Sequence, residues 1–286
     1  MRKTKRLRQM IEGDEILVLP GVYDCLSAKI AQTTGFGAVF TSGFGISAVR
    51  LGLPDYGLIT ASEMMESVKN IVSSVSIPVV ADMDTGYGNP INVIRTVEQA
   101  LAAGVSGIIL EDQQWPKKCG HMEGKKVLSC SEHVQKIKAA RQTAGKDLVI
   151  VARTDSRAEL GLDEAIKRGH EYKDAGADVI FIEAPRSIDE MKEIVKSFAG
   201  TPLFANMVEG GKTPILRADE LNLMGFKIVV YPVSGLFAAV NSVKSCFKYL
   251  KDNKTTIGYE NDYSFGDFEK LIDLSKYKDI EKNYIS

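Results

Sequence analysis

The chain has 286 residues, of which 44% are hydrophobic and 26% are charged, and its formal net charge is −1. No apolar run approaches the roughly 20 residues that span a bilayer, and no concentrated cationic face is expected for a nucleic-acid backbone, so neither a membrane nor a nucleic acid is an expected partner. The four cysteines lie far apart without a CxxC pair, and the basic residues 1–15 lack the apolar segment of a secretory signal, so we expect a cytoplasmic protein without a disulfide framework.

In chain order, eight short apolar runs predict eight strands: 16–19, 38–42, 78–82, 107–112, 148–155, 179–184, 202–206 and 227–232. The runs are continuously apolar, which is typical of parallel strands buried on both faces. Between them lie amphipathic helical patterns, two of which open with capping boxes at Thr60–Glu63 and Ser129–Glu132. A glycine of the kind that ends helices precedes five strands, at positions Gly35, Gly104, Gly176, Gly200 and Gly225.

Eight βα units in about 250 residues predict one (β/α)8 barrel of the TIM type over residues 1–250. A helix is expected over residues 235–250, after the eighth strand. Residues 251–286 then form a C-terminal helical extension. We interpret the basic start of the chain as a solvated end.

Polar residues terminate most of the apolar strands, at the barrel edge where such folds carry their chemistry. They are Ser42, Asp82, Asp84, Glu111, Asp112, Arg153, Asp155, Glu183, Asn206 and Glu209. Taken singly, each could instead cap the helix that follows it. Their recurrence at strand after strand favours a functional site.

Three of these carboxylates, on Asp82, Asp84 and Glu111, come from adjacent strands and are expected to converge. Crowded carboxylates need protons or a hard cation, and without clustered His or Cys the favoured metal is Mg²⁺ rather than zinc. The glycine-rich turn 41–45 can aim backbone N–H groups at a substrate carboxylate. Arg153 suits a bidentate grip on a carboxylate, or alternatively a salt bridge within the protein.

The stretch WPKKCGHMEG, residues 115–124, follows the fourth strand and is long for a βα loop. Gly120 and Gly124 can act as hinges, so the stretch is expected to be a closing lid. Cys119 lies beside Lys118 and His121, and such electropositive surroundings are expected to perturb the pKa of its thiol. The alternative is an exposed basic loop with an incidental cysteine.

The motifs SGFG, LGLPDYG, DMDTGYGN, LEDQQWPKKCGH, VARTD, IEAP and ANMVEGGKTP resemble those of the isocitrate lyase and phosphoenolpyruvate mutase superfamily. The resemblance runs from about residue 17 to beyond residue 234. Within that superfamily, KKCGH resembles the corresponding motif of the carbon–carbon lyase branch. The resemblance implies a cleavage of retro-aldol type, in which a 2-hydroxy diacid yields a 2-oxo acid and a second carboxylate.

The resemblance also implies roles for individual residues, a cofactor and an assembly. Mg²⁺, with Mn²⁺ as a substitute, is held by Asp82, Asp84, Glu111 and Asp55. The substrate residues are Ser42, Gly43, Phe44 and Arg153 for the 2-oxo acid portion, Asn206 and Glu209 for the second carboxylate, and Glu183. Cys119 protonates the carbanion, while Lys118 and His121 organise the closed lid. Members are typically homotetramers that exchange a C-terminal helix between subunits.

Phe40, Phe44 and Pro185 depart from the members that cleave tricarboxylates, so the expected substrate is 2,3-dimethylmalate or a related 2-alkylmalate, giving pyruvate and a carboxylate such as propionate. The alternatives are a carboxyphosphonoenolpyruvate phosphonomutase, a 2-methylisocitrate lyase, an oxaloacetate hydrolase or decarboxylase, and a binding protein without catalysis. Two expectations for the protonation state of Cys119 conflict. A thiol that acts as an acid must carry its proton, whereas neighbouring Lys and His side chains favour the thiolate.

Overall fold

The computed structural model describes residues 2–260 and 263–284. Its eight strands are β1 Leu17–Val22, β2 Val39–Thr41, β3 Val79–Asp82, β4 Gly107–Glu111, β5 Val149–Thr154, β6 Val179–Ile182, β7 Phe204–Asn206 and β8 Ile228–Tyr231. All neighbouring strands are parallel, in the order β6-β5-β4-β3-β2-β1-β8-β7. A parallel bridge between Ile180 and Leu203 joins the two ends of this sheet. The predicted (β/α)8 barrel is confirmed.

The helices are α1 Lys3–Glu12, α2 Cys25–Thr33, α3 Gly43–Ile46, α4 Ala61–Ser74, α5 Pro90–Ala103, α6 Cys130–Ala144, α7 Arg157–Leu160, α8 Leu162–Asp174, α9 Ile188–Ser197, α10 Ala218–Met224, α11 Ser234–Asn253, α12 Phe265–Leu271 and α13 Leu274–Tyr284. A π-helical turn, Ser47–Leu51, follows α3. Both predicted capping boxes form, at the starts of α4 and α6. The five glycines predicted to precede strands all have positive φ. None of the helices described is long and apolar enough to cross a membrane.

Alternation along the strands decides which side chains reach the barrel interior. In β5, Val149 and Val151 belong to the interior cluster, whereas Ile150 and Ala152 pack outward under the helices. The same alternation sends Arg153 inward. Strands β2 to β7 therefore each present an apolar interior residue and then, two positions later, a polar one at the C-terminal edge, whereas β1 and β8 continue with Gly21 and Pro232.

The N-terminal end of the barrel is closed by α1. Leu7 is fully buried and Ile11 nearly so, and both belong to the interior cluster. Arg8 Nη1 donates to Asp178 Oδ1 at 2.8 Å. The interpretation of the basic start as a solvated end was wrong, because its apolar residues recur at helical spacing and form the plug of the barrel.

Beyond the barrel, α11 buries little of its own apolar surface. Leu236 is its one buried residue within the part of the chain described. Its exposed apolar side chains are Phe237, Val240, Val243, Phe247 and Leu250. The helix predicted over residues 235–250 is confirmed and runs to Asn253.

Candidate active site

A cavity of about 260 Å³ opens at the C-terminal ends of the strands. Ten of the predicted site residues line it: Ser42, Phe44, Asp55, Asp82, Cys119, His121, Arg153, Glu183, Asn206 and Glu209. Asp84 and Glu111 are buried behind this lining. Lys118 lies outside the cavity, where its Nζ donates to the Gly124 carbonyl at 3.0 Å and sits 5.2 Å from the Tyr56 ring centre.

Lys117, which the sequence had not singled out, occupies the acidic side of the cavity. Its Nζ lies 2.5 Å from Asp55 Oδ1 and 2.7 Å from Asp84 Oδ1, and all three side chains are buried. Burial alone lowers the pKa of this lysine, but Asp84 and Asp55 raise it well above its ordinary value. Lys117 is therefore a charged ammonium group that partly neutralises the acidic cluster.

The other carboxylates of this cluster are only partly compensated. Burial, with the charge of Asp82 adding to it, raises the pKa of Asp84 despite the opposing effect of Lys117. Burial also raises the pKa of Glu111 well above its ordinary value, against the attraction of Arg153. The Tyr87 hydroxyl donates to Asp84 Oδ2 at 3.1 Å. The cluster is thus short of positive charge.

This donor set fits a divalent cation that prefers oxygen. Glu111 Oε1 is buried without a hydrogen-bond partner in the described chain, and Asp82 lines the cavity wall nearby. Residues 2–260 and 263–284 contain no three His, Cys, Asp or Glu side chains grouped as direct metal ligands. Mg²⁺ keeps several of its waters in proteins, so an incomplete set of direct protein ligands suits it.

The glycine-rich turn after β2 forms the start of α3. Ser42 is the N-cap, and its Oγ accepts from the Gly45 N–H at 3.2 Å. The Gly43 N–H donates to Asp82 Oδ2 at 3.3 Å, and a Cβ on Gly43 would lie 2.7 Å from that oxygen. In this structure the N–H groups of Gly43 and Gly45 donate to Asp82 and Ser42, and binding of a substrate carboxylate by this turn stays a prediction.

Arg153 is held within the protein by acidic neighbours. Its Nε and Nη2 donate to Asp155 Oδ2 at 2.9 Å and Oδ1 at 3.1 Å, and Glu111 Oε2 lies 3.3 Å from Nε. The alternative of an internal salt bridge is therefore what the structure shows. Arg153 also lines the cavity.

The lid, residues 115–124, is closed over the cavity. The Gln113 side chain brackets Lys118, donating to its carbonyl at 2.8 Å and accepting from its N–H at 2.9 Å. The Cys119 N–H donates to the Asp55 carbonyl at 3.2 Å. A Cβ on Gly120 would lie 2.0 Å from Glu183 Oε1, so only glycine lets the lid backbone approach this closely.

The thiol of Cys119 faces this closed cavity in its protonated form. Burial raises its pKa to about 11, and the charge of Asp55 acts in the same direction. The expected electropositive surroundings do not materialise: Lys117 is paired with carboxylates and Lys118 points away. Cys119 lies on the lid, as predicted. Its pKa is raised, whereas its Lys and His neighbours were expected to favour the thiolate.

His121 joins the lid to two other loops. The Lys212 N–H donates to His121 Nδ1 at 2.9 Å, which leaves the ring proton of the neutral form on Nε2. Nε2 lies 3.3 Å from Glu183 Oε1. Burial lowers the pKa of His121 despite the opposing effect of Glu183, so the neutral ring predominates at pH 7.

The remaining predicted residues, Asn206 and Glu209, also line the cavity. Asn206 Nδ2 donates to Glu183 Oε1 at 3.1 Å. The Ser234 hydroxyl donates to Glu209 Oε1. Apolar side chains make up much of the rest of the lining, and they include Phe44, Phe181, Val208, Pro232, Val233 and Phe237. The cavity therefore combines carboxylates with a largely hydrophobic remainder.

Comparisons with known proteins agree with this geometry. The family model described as phosphoenolpyruvate phosphomutase matches residues 7–251. The chain is 44% identical over 286 residues to 2,3-dimethylmalate lyase of Eubacterium barkeri, covering 99% of both chains. It is also 46% identical over 285 residues to the chloroplastic carboxyvinyl-carboxyphosphonate phosphorylmutase of Arabidopsis thaliana, covering 98% of this chain and 84% of that protein.

Solved structures show the same relationship. A crystal structure of 2,3-dimethylmalate lyase, described as a PEP mutase/isocitrate lyase superfamily member, matches with a TM-score of 0.94 and 36% identity, covering 100% of this chain and 96% of that one. Phosphonopyruvate hydrolase in complex with oxalate and Mg²⁺ matches with a TM-score of 0.89 and 33% identity, covering both chains fully. The chain therefore belongs to the phosphoenolpyruvate mutase and isocitrate lyase superfamily.

Proposed function

We propose that this protein is a Mg²⁺-dependent carbon–carbon lyase. Its substrate is 2,3-dimethylmalate or a related 2-alkylmalate, which it cleaves to pyruvate or another 2-oxo acid and a carboxylate such as propionate. The observation that carries the proposal is the protonated thiol of Cys119, held by a closed lid over a cavity that Asp55, Asp82 and Arg153 also line. The relative named 2,3-dimethylmalate lyase, which is similar over its whole length, supports the same substrate class.

Cleavage breaks the bond between the carbinol carbon and the carbon that bears the second carboxylate. The hydroxyl proton leaves and the oxygen becomes the carbonyl of the 2-oxo acid, while the bonding electron pair stays on the departing carboxylate. Cys119 donates its Sγ–H proton to that carbanion and is left as a thiolate. The hydroxyl proton passes to solvent water, and the thiolate takes a proton back from solvent, so that each turnover neither gains nor loses a proton. A thiol with a pKa of about 11 is protonated at neutral pH, as a general acid must be.

Arg153 and the acidic cluster act on the other fragment. The guanidinium would bind the 2-oxo acid portion and stabilise the charge that grows there in the transition state. The residues that would hold Mg²⁺ are Asp82, Asp84, Glu111 and Asp55. When bound, the cation polarises the hydroxyl oxygen of the substrate, and Mn²⁺ serves as a substitute. Ser42, Gly43 and Phe44 would complete this subsite.

The composition of the cavity favours a dicarboxylate with alkyl groups. Both cations that line it in the described chain, Lys117 and Arg153, are already paired with carboxylates. A third substrate carboxylate would therefore lack a charge partner, whereas a methyl group would contact the apolar wall that includes Phe44 and Phe237. The Asn206 amide would donate to the second carboxylate, and Glu209 and Glu183 would line its surroundings.

We also propose a homotetramer in which α11 is exchanged between subunits. The exposed apolar side chains of α11 form an unpartnered surface, including Val243 at 49% and Phe247 at 65% exposure. A groove of about 690 Å³ with apolar side chains such as Leu26 and Ile30 runs between α2 and α11. Surfaces of this kind mark protein–protein contacts.

A cytoplasmic location completes the proposal. All four cysteines are free thiols. Free thiols are the ordinary state of cysteine in a reducing compartment.

The test is a Mg²⁺ assay for 2-oxo acid release across 2,3-dimethylmalate, other 2-alkylmalates, 2-methylisocitrate, isocitrate and oxaloacetate. We expect turnover to be highest with an alkylated malate, to be abolished by EDTA, and to return with Mg²⁺ or Mn²⁺. Highest turnover with 2-methylisocitrate or oxaloacetate would contradict the proposed substrate but keep the lyase activity. Release of no 2-oxo acid from any of these compounds would refute the lyase proposal.

A phosphonomutase is the second candidate, because the Arabidopsis relative with that type of name is as similar to this chain as the lyase is. Such an enzyme would form a carbon–phosphorus bond, which phosphorus NMR detects directly. Incubation with carboxyphosphonoenolpyruvate separates the two functions. The lyase proposal expects no phosphinate resonance, whereas the mutase expects one.

A further inference from the structure

Lys125, one residue beyond the lid, is a buried charge. Its side chain is 1% exposed. A buried ammonium group is costly unless it is paired, so the partners of Lys125 indicate what it does. Its neighbour Lys126 is exposed, which provides a matched lysine outside the site.

Lys125 has two partners, one on the lid and one on the barrel. Its Nζ donates to the Gly120 carbonyl, in the part of the lid that carries Cys119. The same Nζ donates to Asp155 Oδ1 at 2.7 Å. Lys125 thus ties the lid to the end of β5.

Asp155 is at the same time the main partner of Arg153. Its Oδ1, which accepts from Lys125, also accepts from Arg153 Nη2 at 3.1 Å, while Oδ2 accepts from Arg153 Nε at 2.9 Å. Burial raises the pKa of Asp155, but Arg153 and Lys125 outweigh it and hold the pKa below its usual range. One carboxylate is therefore shared by the lid and the guanidinium.

Asp155 is itself held from behind the barrel. Its N–H donates to Asp112 Oδ1 at 2.9 Å. Asp112 Oδ2 accepts from Thr154 Oγ1 at 2.7 Å, Tyr172 OH at 2.8 Å and Arg168 Nη1 at 3.0 Å. This buried network makes Asp155 a fixed point to which the lid is tied.

The lid backbone at Gly120 also contacts the Arg153 guanidinium directly. A Cβ on Gly120 would lie 2.4 Å from Arg153 Nη2. The positions of the Gly120 carbonyl and the guanidinium therefore depend on each other, and Cys119 is the adjacent residue in the chain.

We propose that Lys125 is a positioning residue that couples lid closure to the placement of Arg153, through the carboxylate they share on Asp155. When the lid opens, Asp155 loses the lysine and Arg153 loses its contact with Gly120. When it closes, the proton donor and the guanidinium reach their working positions together. The kinetic part of this inference rests on the proposed lyase function, whereas the lid-closure part does not.

Other contacts keep the lid folded when Lys125 is replaced. The Gln113 side chain still brackets Lys118, and the Val127 N–H donates to Glu159 Oε2 at 3.1 Å. Loss of the ammonium group is therefore expected to shift the lid towards its open state and to leave the barrel folded.

The experiment compares Lys125→Met with Lys126→Met, its exposed control, without substrate. Iodoacetamide modification of Cys119 is followed by peptide mass spectrometry at a fixed pH. A minor open state of the lid is populated at about 0.1–10%, so its population can rise by about tenfold. We therefore expect about tenfold faster modification of Cys119 in Lys125→Met. Lys126→Met should be modified at the wild-type rate. Equal rates in Lys125→Met and the wild type would overturn the inference.

Kinetics on the same variants test the coupling to Arg153. On the substrate that the 2-oxo acid release assay identifies, Lys125→Met is expected to lose about 10- to 100-fold in kcat, with a smaller change in KM. Lys125→Arg, which keeps a cation for Asp155, should recover part of kcat. Lys125→Gln replaces the methionine variant if that variant does not fold. If the wild type cleaves nothing, the lyase proposal fails while the modification rates still decide the role of the lid contact.

Discussion

Lys117 Nζ lies 2.7 Å from Asp84 Oδ1, and both side chains are buried under the closed lid. This ion pair explains how Cys119, two residues further along, keeps its proton. A lysine that is matched by buried carboxylates contributes little net positive potential at the thiol. Desolvation then dominates, and it favours the neutral thiol.

The reactivity of Cys119 should therefore rise only at high pH. Because its pKa is raised to about 11, the thiolate is scarce at neutral pH and grows tenfold for each pH unit below that value. Iodoacetamide rates measured from pH 7 to pH 10.5 should increase throughout. The urea-unfolded chain serves as the control, with a thiol pKa of about 8.5. A plateau of the folded rate below pH 9 would contradict the assignment of a protonated thiol.

Gly120→Ala should impair catalysis without unfolding the barrel. The added methyl group would meet Glu183 Oε1 at 2.0 Å and Arg153 Nη2 at 2.4 Å, so the lid must move outward. A displacement of about 1 Å is enough to reduce kcat/KM by roughly 100-fold. Gly13→Ala is the matched control, because its Cβ would meet its nearest neighbour at an ordinary 3.4 Å. Wild-type kcat/KM in Gly120→Ala would show that the lid does not close this tightly.

His133 should make the fold sensitive to acid. Burial, with Lys136 and Arg168 adding to it, lowers the pKa of this histidine to about 3. Its ring packs edge-on against Tyr172, with ring centres 4.6 Å apart. In the unfolded chain the pKa is about 6.5, so only the unfolded state gains a proton between these values.

The stabilising contribution of neutral His133 is therefore complete above about pH 6.5 and is lost as the pH falls towards 3, by at most about 1.4 kcal/mol per pH unit. His133→Phe should flatten this part of the profile of unfolding free energy. Urea unfolding of both proteins at pH 7.5, 5.5 and 4.5 measures the difference. A difference that stays constant with pH would mean that the buried ring titrates normally.

The assembly depends on the apolar face of α11. Light scattering of the wild type should give the mass of four chains of 31.3 kDa each. The double variant Val243→Glu and Phe247→Glu places charges on that face and should yield smaller species. Lys251→Glu, on the same helix, should remain tetrameric. A monomeric wild type would refute the proposed assembly.

Many of the site residues could be predicted from the sequence, because alternation along each strand determines which side chains point into the barrel. Arg153 comes two residues after Val151 and Glu183 two residues after Phe181, so apolar interior positions at spacing two point to the polar residue that follows them. Asp112 follows the opposite register, and it packs outward against Tyr172 and Arg168. The same alternation could have assigned it to the outside of the barrel.

Loop residues could not be assigned in this way, since a loop has no fixed period. Two lysines stand side by side before Cys119, and the sequence alone does not say which enters the cavity. The structure places Lys117 inside and Lys118 outside. Lys125 was missed for the same reason, because its partner Asp155 is 30 residues away in the chain. Charge balance inside the cavity depends on such long-range pairs.

Cys119→Ser, assayed on 2,3-dimethylmalate with Mg²⁺, tests the proposed proton transfer most directly. A hydroxyl in place of the thiol is a much weaker acid, and loss of a positioned acid reduces kcat by about 100-fold or more. Cys130→Ser, a half-buried cysteine on α6, should keep wild-type activity. Cleavage by Cys119→Ser at the wild-type rate would contradict the central claim that this thiol supplies the proton.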